Sequence, residues 1–508
     1  MVIFRNKFYI SLSVIFLFIL IASLCIYFSY NAIPIGTDNG NVFIESRIYL
    51  EEGFDRGYSS LQPLITTIIN AIFLSISNNF PLILLSGIFS ILIALLVFRF
   101  IQLEIGITAA ILSLALFLLS PLFFERTWYL APYPLSLFFI TSSIFIYLKL
   151  DKDKAANLIL LIISAFFMAL AVYTWTLALT MIAIPILYHI LCRSVKNNIR
   201  LIFGFYASIL IFMLTWMIWH LEIGGIQHFY FNSYGWYSVK YLPMVNKLFW
   251  GYGGLGYSNI PKLFSYYGNF LSLIWENLFI GIGLIFSILG LLKIEPRLRS
   301  LCIVWIIIAI LPLLILQTAA FDRYLYFTLP PFIILASYGL AYLLKSLNGK
   351  LKIGIILLVL LVCFIQVPKY FDDFHESPSY PSPNSASIQD INLFREIIND
   401  NRNIYSRHHA FQYYFHDNYF IAFSDMSEED AISFLSWESE SAISTIMEKY
   451  NIGWIMLYKD ESFEKDYYIW VKEVTGEYTK HYLYISESPN FEMIYYGRIY
   501  IFYKYIAS

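Results

Sequence analysis

The chain has 508 residues, with 33 Lys and Arg against 35 Asp and Glu for a formal net charge of −2 at pH 7. Only 13% of its residues are charged and 59% are hydrophobic, where a soluble globular chain carries about a quarter charged. With a mean hydropathy of +0.65, these values exclude an ordinary soluble protein and give no electrostatic basis for binding nucleic acid.

In chain order, Arg5 and Lys7 precede an apolar run from Phe8 to Tyr30. That run is longer than the apolar core of a cleaved signal peptide and reads as a first membrane helix. Long apolar runs separated by short polar stretches continue to Val367. About eleven segments have the length of a span: 8–30, 81–101, 105–124, 132–150, 155–173, 176–192, 201–221, 270–292, 300–319, 325–344 and 351–367. With the N-terminus inside, the inside loops hold Arg99, then Lys149, Lys152 and Lys154, then Arg193, Lys196 and Arg200, then Lys293, Arg297 and Arg299, then Lys345, Lys350 and Lys352. This is the positive-inside pattern. Counting 61–77 as a further span would reverse every later loop, so that stretch is expected to be an amphipathic or re-entrant helix at the outer face. The spans hold almost no ionisable groups, and the polar chemistry is concentrated in the outer loops 31–80, 125–131, 222–269 and 321–324.

The first outer loop places Thr37 and Asp38 where a helix N-cap belongs and Gly53 where a C-cap belongs. Asp38 and Glu45 share a face of that helix two turns apart, and Arg47 and Glu51 form an i,i+4 pair. Glu125, Arg126 and Arg323 are expected at the same membrane surface. Together these residues offer carboxylate bases and cationic phosphate clamps just above the lipid. The loop 222–269 carries aromatic clusters, among them Gly235-Trp236-Tyr237, suited to stacking on sugar rings or to lining the bilayer interface.

At these residues the chain resembles the GT-C superfamily of polyprenol-dependent glycosyltransferases, in particular the protein O-mannosyltransferase and aminoarabinose transferase branch. The resemblance rests on Asp38-Asn39-Gly40 after the first span, Gly53, Gln62-Pro63-Leu64, Ser120-Pro121 with Glu125-Arg126 beyond it, and Arg323-Tyr324 before Pro330-Pro331. Asn39 and Gln62 depart from the acidic and Pro residues of many relatives, and the Trp-Trp-Asp motif of oligosaccharyltransferases is missing. The resemblance implies a hexosyl- or pentosyltransferase that uses a polyprenyl- or dolichyl-phosphate sugar donor. The acceptor is a protein, lipid or glycan on the extracytoplasmic face, and the reaction is an inverting single displacement. It implies catalytic carboxylates at Asp38, with Glu45 or Glu125 as the second. Donor phosphate contacts fall to Arg323, Arg126 and Arg47, and sugar or acceptor contacts to Tyr58, Trp236 and Tyr324. Metal dependence varies within the superfamily, which leaves a divalent metal open. The rival function is non-enzymatic, a lipid-linked glycan translocase or an assembly scaffold, and the charge-free spans provide no polar path for the former.

Pro378, Pro381 and Pro383 mark a linker over 368–387, separating a transmembrane domain, 1–367, from a soluble α/β domain, 388–508. The tail is expected to hold a helix near 386–400, a strand near 403–408, helices near 427–436 and 439–450, a strand at 453–458, and a hairpin-like end at 481–486 and 491–504. His408, His409 and His416 with Asp417 read as surface residues rather than metal ligands. The class is thus an α-helical polytopic membrane protein with its N-terminus cytoplasmic and a C-terminal extracytoplasmic α/β domain. Single-cysteine labelling is expected to find positions 152 and 196 on one side of the membrane and positions 59 and 385 on the other. Finding 59 and 152 together would reverse this topology.

Overall fold

The structure, a computed structural model, describes residues 2–31, 46, 50, 64–76, 83–128, 132–153, 157–228, 282–316, 325–376, 386–406, 418, 420–421, 426, 430, 433–434, 439–459, 481–498 and 500–506. The chain forms two compact units, Met1–Asn31 with Ile48–Asp372, and Ala32–Arg47 with Asp373–Ser508.

The first unit is helical. Its helices are α1 (Val2–Asn31), α2 (Leu64–Ile76), α3 (Ile83–Glu104), α4 (Ile107–Leu118), α5 (Pro121–Glu125), α6 (Tyr133–Asp153) and α7 (Leu158–Thr174). They continue with α8 (Ile184–Leu191), α9 (Ile199–His228), α10 (Ile282–Lys293), α11 (Pro296–Leu316), α12 (Leu329–Ser346) and α13 (Gly349–Glu376). Among the described residues, three stretches are long and apolar enough to cross a membrane: Ile83–Glu104, Tyr133–Asp151 and Tyr326–Ser346. Helices overlap the expected segments, but α9 and α13 run past theirs, 105–124 divides into α4 and α5, 270–281 lies outside the described residues, and the shorter helices do not meet that criterion alone. The last helix continues through Pro368 to Glu376, so the Pro-rich stretch read as a linker begins as helix.

This unit exposes large apolar side chains and buries hydroxyl groups within an otherwise apolar interior. Ile15, Phe16, Ile19, Phe203 and Ile211 are exposed, while Ser29, Ser90, Ser143, Ser164 and Thr328 are buried. Water would favour the reverse; lipid favours this. Small and hydroxylated residues let the helices approach and tie them together. Ser143 Oγ donates to the Ser164 carbonyl at 2.7 Å, and Ser164 Oγ donates back to the Ser143 carbonyl at 2.8 Å. With Ser136 Oγ donating to the Ala171 carbonyl at 3.1 Å, these bonds fix α6 and α7 as an antiparallel pair. Helices α10 and α12 cross backbone to backbone. A Cβ at Gly290 would run into the Leu335 carbonyl, and one at Gly339 into the Phe286 carbonyl.

At one end of the bundle the basic loops meet. Arg297 pairs with Asp151 at 3.2 Å, donates to the Tyr188 hydroxyl at 2.9 Å, and donates to the Leu148 carbonyl at 2.7 Å. The Tyr188 hydroxyl in turn donates to Asp151 at 2.9 Å. Beside them His189 is held between Ser194 at 2.8 Å and Tyr147 at 3.0 Å. Three loops grouped in the sequence by their charge thus share one end of the bundle.

The second unit is α/β. Strands β1 (Asn403–Ser406), β2 (Phe420–Ile421), β3 (Ile452–Tyr458), β4 (Phe491–Tyr496) and β5 (Tyr500–Tyr505) form one sheet in the order β2-β1-β3-β5-β4. The β1 pairings are parallel, and β5 runs antiparallel to both β3 and β4. Alternate residues serve opposite faces, as the strand period of two requires. Ile404, Trp454, Met456 and Phe502 pack under α14 (Ala386–Ile397) through Ile391 and Phe394. Tyr405, Ile455, Leu457 and Tyr503 pack on the other face with Ile443, Ile446 and Met447 of α15 (Glu440–Lys449) and Ile485 of α16 (His481–Glu487). Residues 481–486 are therefore helical, not an arm of a hairpin. Their alternating aromatics suggest a strand, but burial of Ile485 in the core and the turn at Ser488 decide for helix. The hairpin is β4 with β5, and buried Asp390 of α14 accepts from the backbone N–H groups of Arg498 and Tyr500 at its turn, both at 3.1 Å.

Asp400 pins the entry to β1. It accepts from Trp454 Nε1 at 2.8 Å and from Arg402 Nε and NH2 at 3.0 and 2.9 Å. Burial pushes its carboxyl upward, but these hydrogen bonds outweigh that and hold it below the usual aspartate range. A depressed folded value means that the stabilisation is present above the unfolded pKa and is lost as pH falls through the folded one. Asp400→Asn is expected to lower the unfolding midpoint at pH 7, with the difference from wild type shrinking below about pH 4. Thermal unfolding of both proteins across that range checks it.

Candidate active site

At the other end of the bundle, Ser120 and Pro121 start a new helix where α4 stops. Ser120 Oγ accepts from the Phe123 N–H at 3.2 Å as an N-cap, and Pro121 takes the first turn, where no N–H is needed. The short α5 buries Leu122, Phe123 and Phe124, and the chain tightens into a 3₁₀ turn at Arg126–Trp128. Phe124 lies 4.9 Å from the Tyr370 ring, and the Tyr370 hydroxyl donates to the Leu118 carbonyl at 3.0 Å. This packing draws Arg126 inward. Its side chain is 2% exposed while Glu125, paired to it at 3.0 Å, is 37% exposed.

Above the guanidinium lies the Tyr133 ring, 5.9 Å from it to the ring centroid, which adds a cation–π contact. Tyr133 stands edge-on to Trp175 at 4.8 Å and to Phe327 at 6.5 Å. Phe327 belongs to the 3₁₀ turn Tyr326–Thr328, whose carbonyl at Phe327 accepts from Trp305 Nε1 at 2.9 Å. The Tyr326 hydroxyl is 3.5 Å from Ser90 Oγ. The ends of α5, α6, α7 and α12 therefore converge on one aromatic-walled patch around a buried cation.

Of the residues singled out in the sequence, the structure brings together Glu125 and Arg126. Asp38, Glu45, Arg47, Tyr58, Trp236, Arg323 and Tyr324 lie outside the described residues, as do His408, His409, His416 and Asp417. Arg126, expected as a donor-phosphate contact, is a buried side chain bound to the carboxylate beside it in sequence. Tyr133, Trp175 and Tyr326 are absent from the sequence-derived set because isolated aromatics near helix ends read as interfacial anchors. Among the described residues no group of three or more His, Cys, Asp or Glu is arranged to hold a metal ion.

No family profile and no curated protein matches the sequence. Solved structures do match the fold. ArnT from Cupriavidus metallidurans in the apo state superposes with a TM-score of 0.62 at 12% identity, over 97% of this chain and 98% of that one. The same protein bound to undecaprenyl phosphate gives 0.59 at 13% identity, over 97% and 98%. The oligosaccharyltransferase of Archaeoglobus fulgidus, in complex with zinc and sulfate, gives 0.61 at 14% identity, over 91% of this chain and 70% of that one. The chain has the GT-C fold shared by these membrane glycosyltransferases.

The buried setting of Arg126 has a measurable consequence. Arg126→Ala removes a large interior side chain and half of an ion pair, and is expected to cost about 3 kcal/mol of stability without any substrate present. A clamp on a solvated loop would lose donor affinity and leave stability within about 0.5 kcal/mol. Denaturation of the purified variant in detergent separates the two.

Proposed function

We propose that this protein is a multi-pass membrane glycosyltransferase that moves a hexose or pentose from a polyprenyl- or dolichyl-phosphate carrier to an acceptor on the extracytoplasmic face. The observation that carries this reading is the match, over nearly the full length of both chains, to ArnT bound to undecaprenyl phosphate. The bundle's exposed Ile and Phe side chains and its inward-facing hydroxyls support the membrane setting. The grouping of basic loops at one end supports the topology of about eleven spans, with the N-terminus cytoplasmic and the C-terminal domain outside.

In this reading the acceptor hydroxyl attacks the anomeric carbon and yields its proton to Asp38, with Glu45 or Glu125 as the second carboxylate. The bond from the anomeric carbon to the phosphate oxygen breaks, leaving the lipid phosphate. Arg323, with Arg47, meets the charge that develops there, where the planar guanidinium fork suits phosphate. Arg126 is bound to Glu125 inside the fold, so its role in this reading is to orient that carboxylate and balance its charge. Tyr58, Trp236 and Tyr324 supply faces for the sugar or acceptor. In this reading the domain 388–508 serves acceptor choice, set apart in sequence from the loops that carry the chemistry by the Pro-containing stretch 368–387.

Asp38→Asn is expected to bind donor as wild type does and to consume it about a hundredfold or more slowly. Arg323→Ala is expected to weaken donor binding with folding intact. Normal consumption of lipid-linked sugar by Asp38→Asn would remove the proposed base.

A further inference from the structure

Helix α2, Leu64–Ile76, has its polarity reversed relative to a helix lying on a membrane surface. Thr66, Thr67, Asn70, Ala71 and Leu74 form one stripe along it and are buried, at 5% or less exposure. Ile72 and Ile76, on the other side, are 54% and 71% exposed. A surface helix turns its polar side to water and its apolar side inward. Here the polar residues face the protein, and α2 packs against α7.

Two of those polar groups are unsatisfied. Thr66 Oγ1 and Asn70 Nδ2 are buried with no hydrogen-bond partner. Buried polar groups almost always have partners, and an unpartnered one in an apolar setting is a standing penalty. Elsewhere among the described residues such atoms stand singly along the chain; these two sit one turn apart on one face. A separation of four residues raises them about 6 Å relative to each other along the helix axis. That spacing suits two oxygens of one phosphosugar head group, and the Asn70 amide N–H requires an acceptor oxygen. In sequence, α2 follows directly on Gln62-Pro63, the end of the loop that carries Asp38.

We infer that Thr66 and Asn70 form a neutral hydrogen-bonding subsite for the oxygen-rich head group of the carrier lipid. This rests on the glycosyltransferase reading and adds to it a binding element inside the helical unit. The groups are uncharged, so the subsite accepts the head group without a buried counter-charge when the carrier is absent.

The test uses the full-length chain in detergent and the variant Thr66→Val/Asn70→Leu, which keeps side-chain shape and removes both polar groups. The probe is undecaprenyl phosphate, with phosphatidic acid as a second phosphate on an ordinary diacyl tail. Lipid-free, the variant is expected to unfold at a higher temperature than wild type, because two unmet polar groups are gone. Undecaprenyl phosphate is expected to raise the wild-type midpoint clearly and the variant's by less than half as much. Phosphatidic acid is expected to shift neither.

An undiminished shift in the variant would overturn the subsite while leaving the donor class standing. A lower lipid-free midpoint would also overturn it, because it would mean that protein groups or a trapped water already satisfy Thr66 and Asn70. Equal shifts from both lipids would make this a general head-group contact and overturn carrier recognition. No wild-type shift with undecaprenyl phosphate would overturn the subsite and the glycosyltransferase reading together.

Discussion

Hydrocarbon offers no hydrogen-bond partners, and that constraint organises the helical unit of this protein. A polar group placed in it without a partner in the fold carries a standing cost. The reciprocal bonds between Ser143 and Ser164 are its plainest expression, two hydroxyls each finding the other helix's carbonyl. The same constraint sends serines and threonines inward, turns Ile and Phe outward, and lets glycines bring α10 and α12 into backbone contact. Large apolar side chains do not drive helices together in lipid, so close approach and shared polar groups carry the association.

The constraint also sorts chemistry by position. Among the described residues, two groups of charges lie where helices end. At one, Asp151, Arg297, Tyr188 and His189 knit the basic loops into a satisfied network. At the other, Glu125 and Arg126 lie among Tyr133, Trp175 and Phe327. The first is a structural clasp, with Arg297 Nε and Nη2 and the Tyr188 hydroxyl directed at acceptors. The second leaves a carboxylate one-third exposed beside a buried cation, the arrangement from which a reacting group can be presented to a ligand.

Much of this was legible in the sequence, because hydropathy and loop charge act over long stretches. Grouping Asp151, Ser194 and Arg297 in loops of one side needed only the positive-inside pattern, and hydrogen bonds join their neighbourhoods. The α/β character of the tail followed from short apolar runs such as 453–458 alternating with helical segments. What was not legible depends on packing between distant segments. Arg126 reads as a loop charge because sequence shows its neighbour Glu125 but not Tyr133 folding over it. Pro368 reads as a helix stop, yet α13 passes through it where Tyr370 and Phe371 are held against Leu118 and Phe28. The inward turn of Thr66 and Asn70 was hidden for the same reason, since a helix's periodicity shows that it has two faces and not which one the protein covers.

In the proposed reaction the protein breaks the bond between a sugar and a lipid phosphate. Its most direct test is reconstitution of the purified chain into vesicles containing a panel of polyprenyl-phosphate sugars, with free polyprenyl phosphate quantified by mass spectrometry. Release is expected from at least one donor, supplied on the extracytoplasmic face. Donors that all persist intact, or that only change leaflet with the sugar still attached, would contradict it.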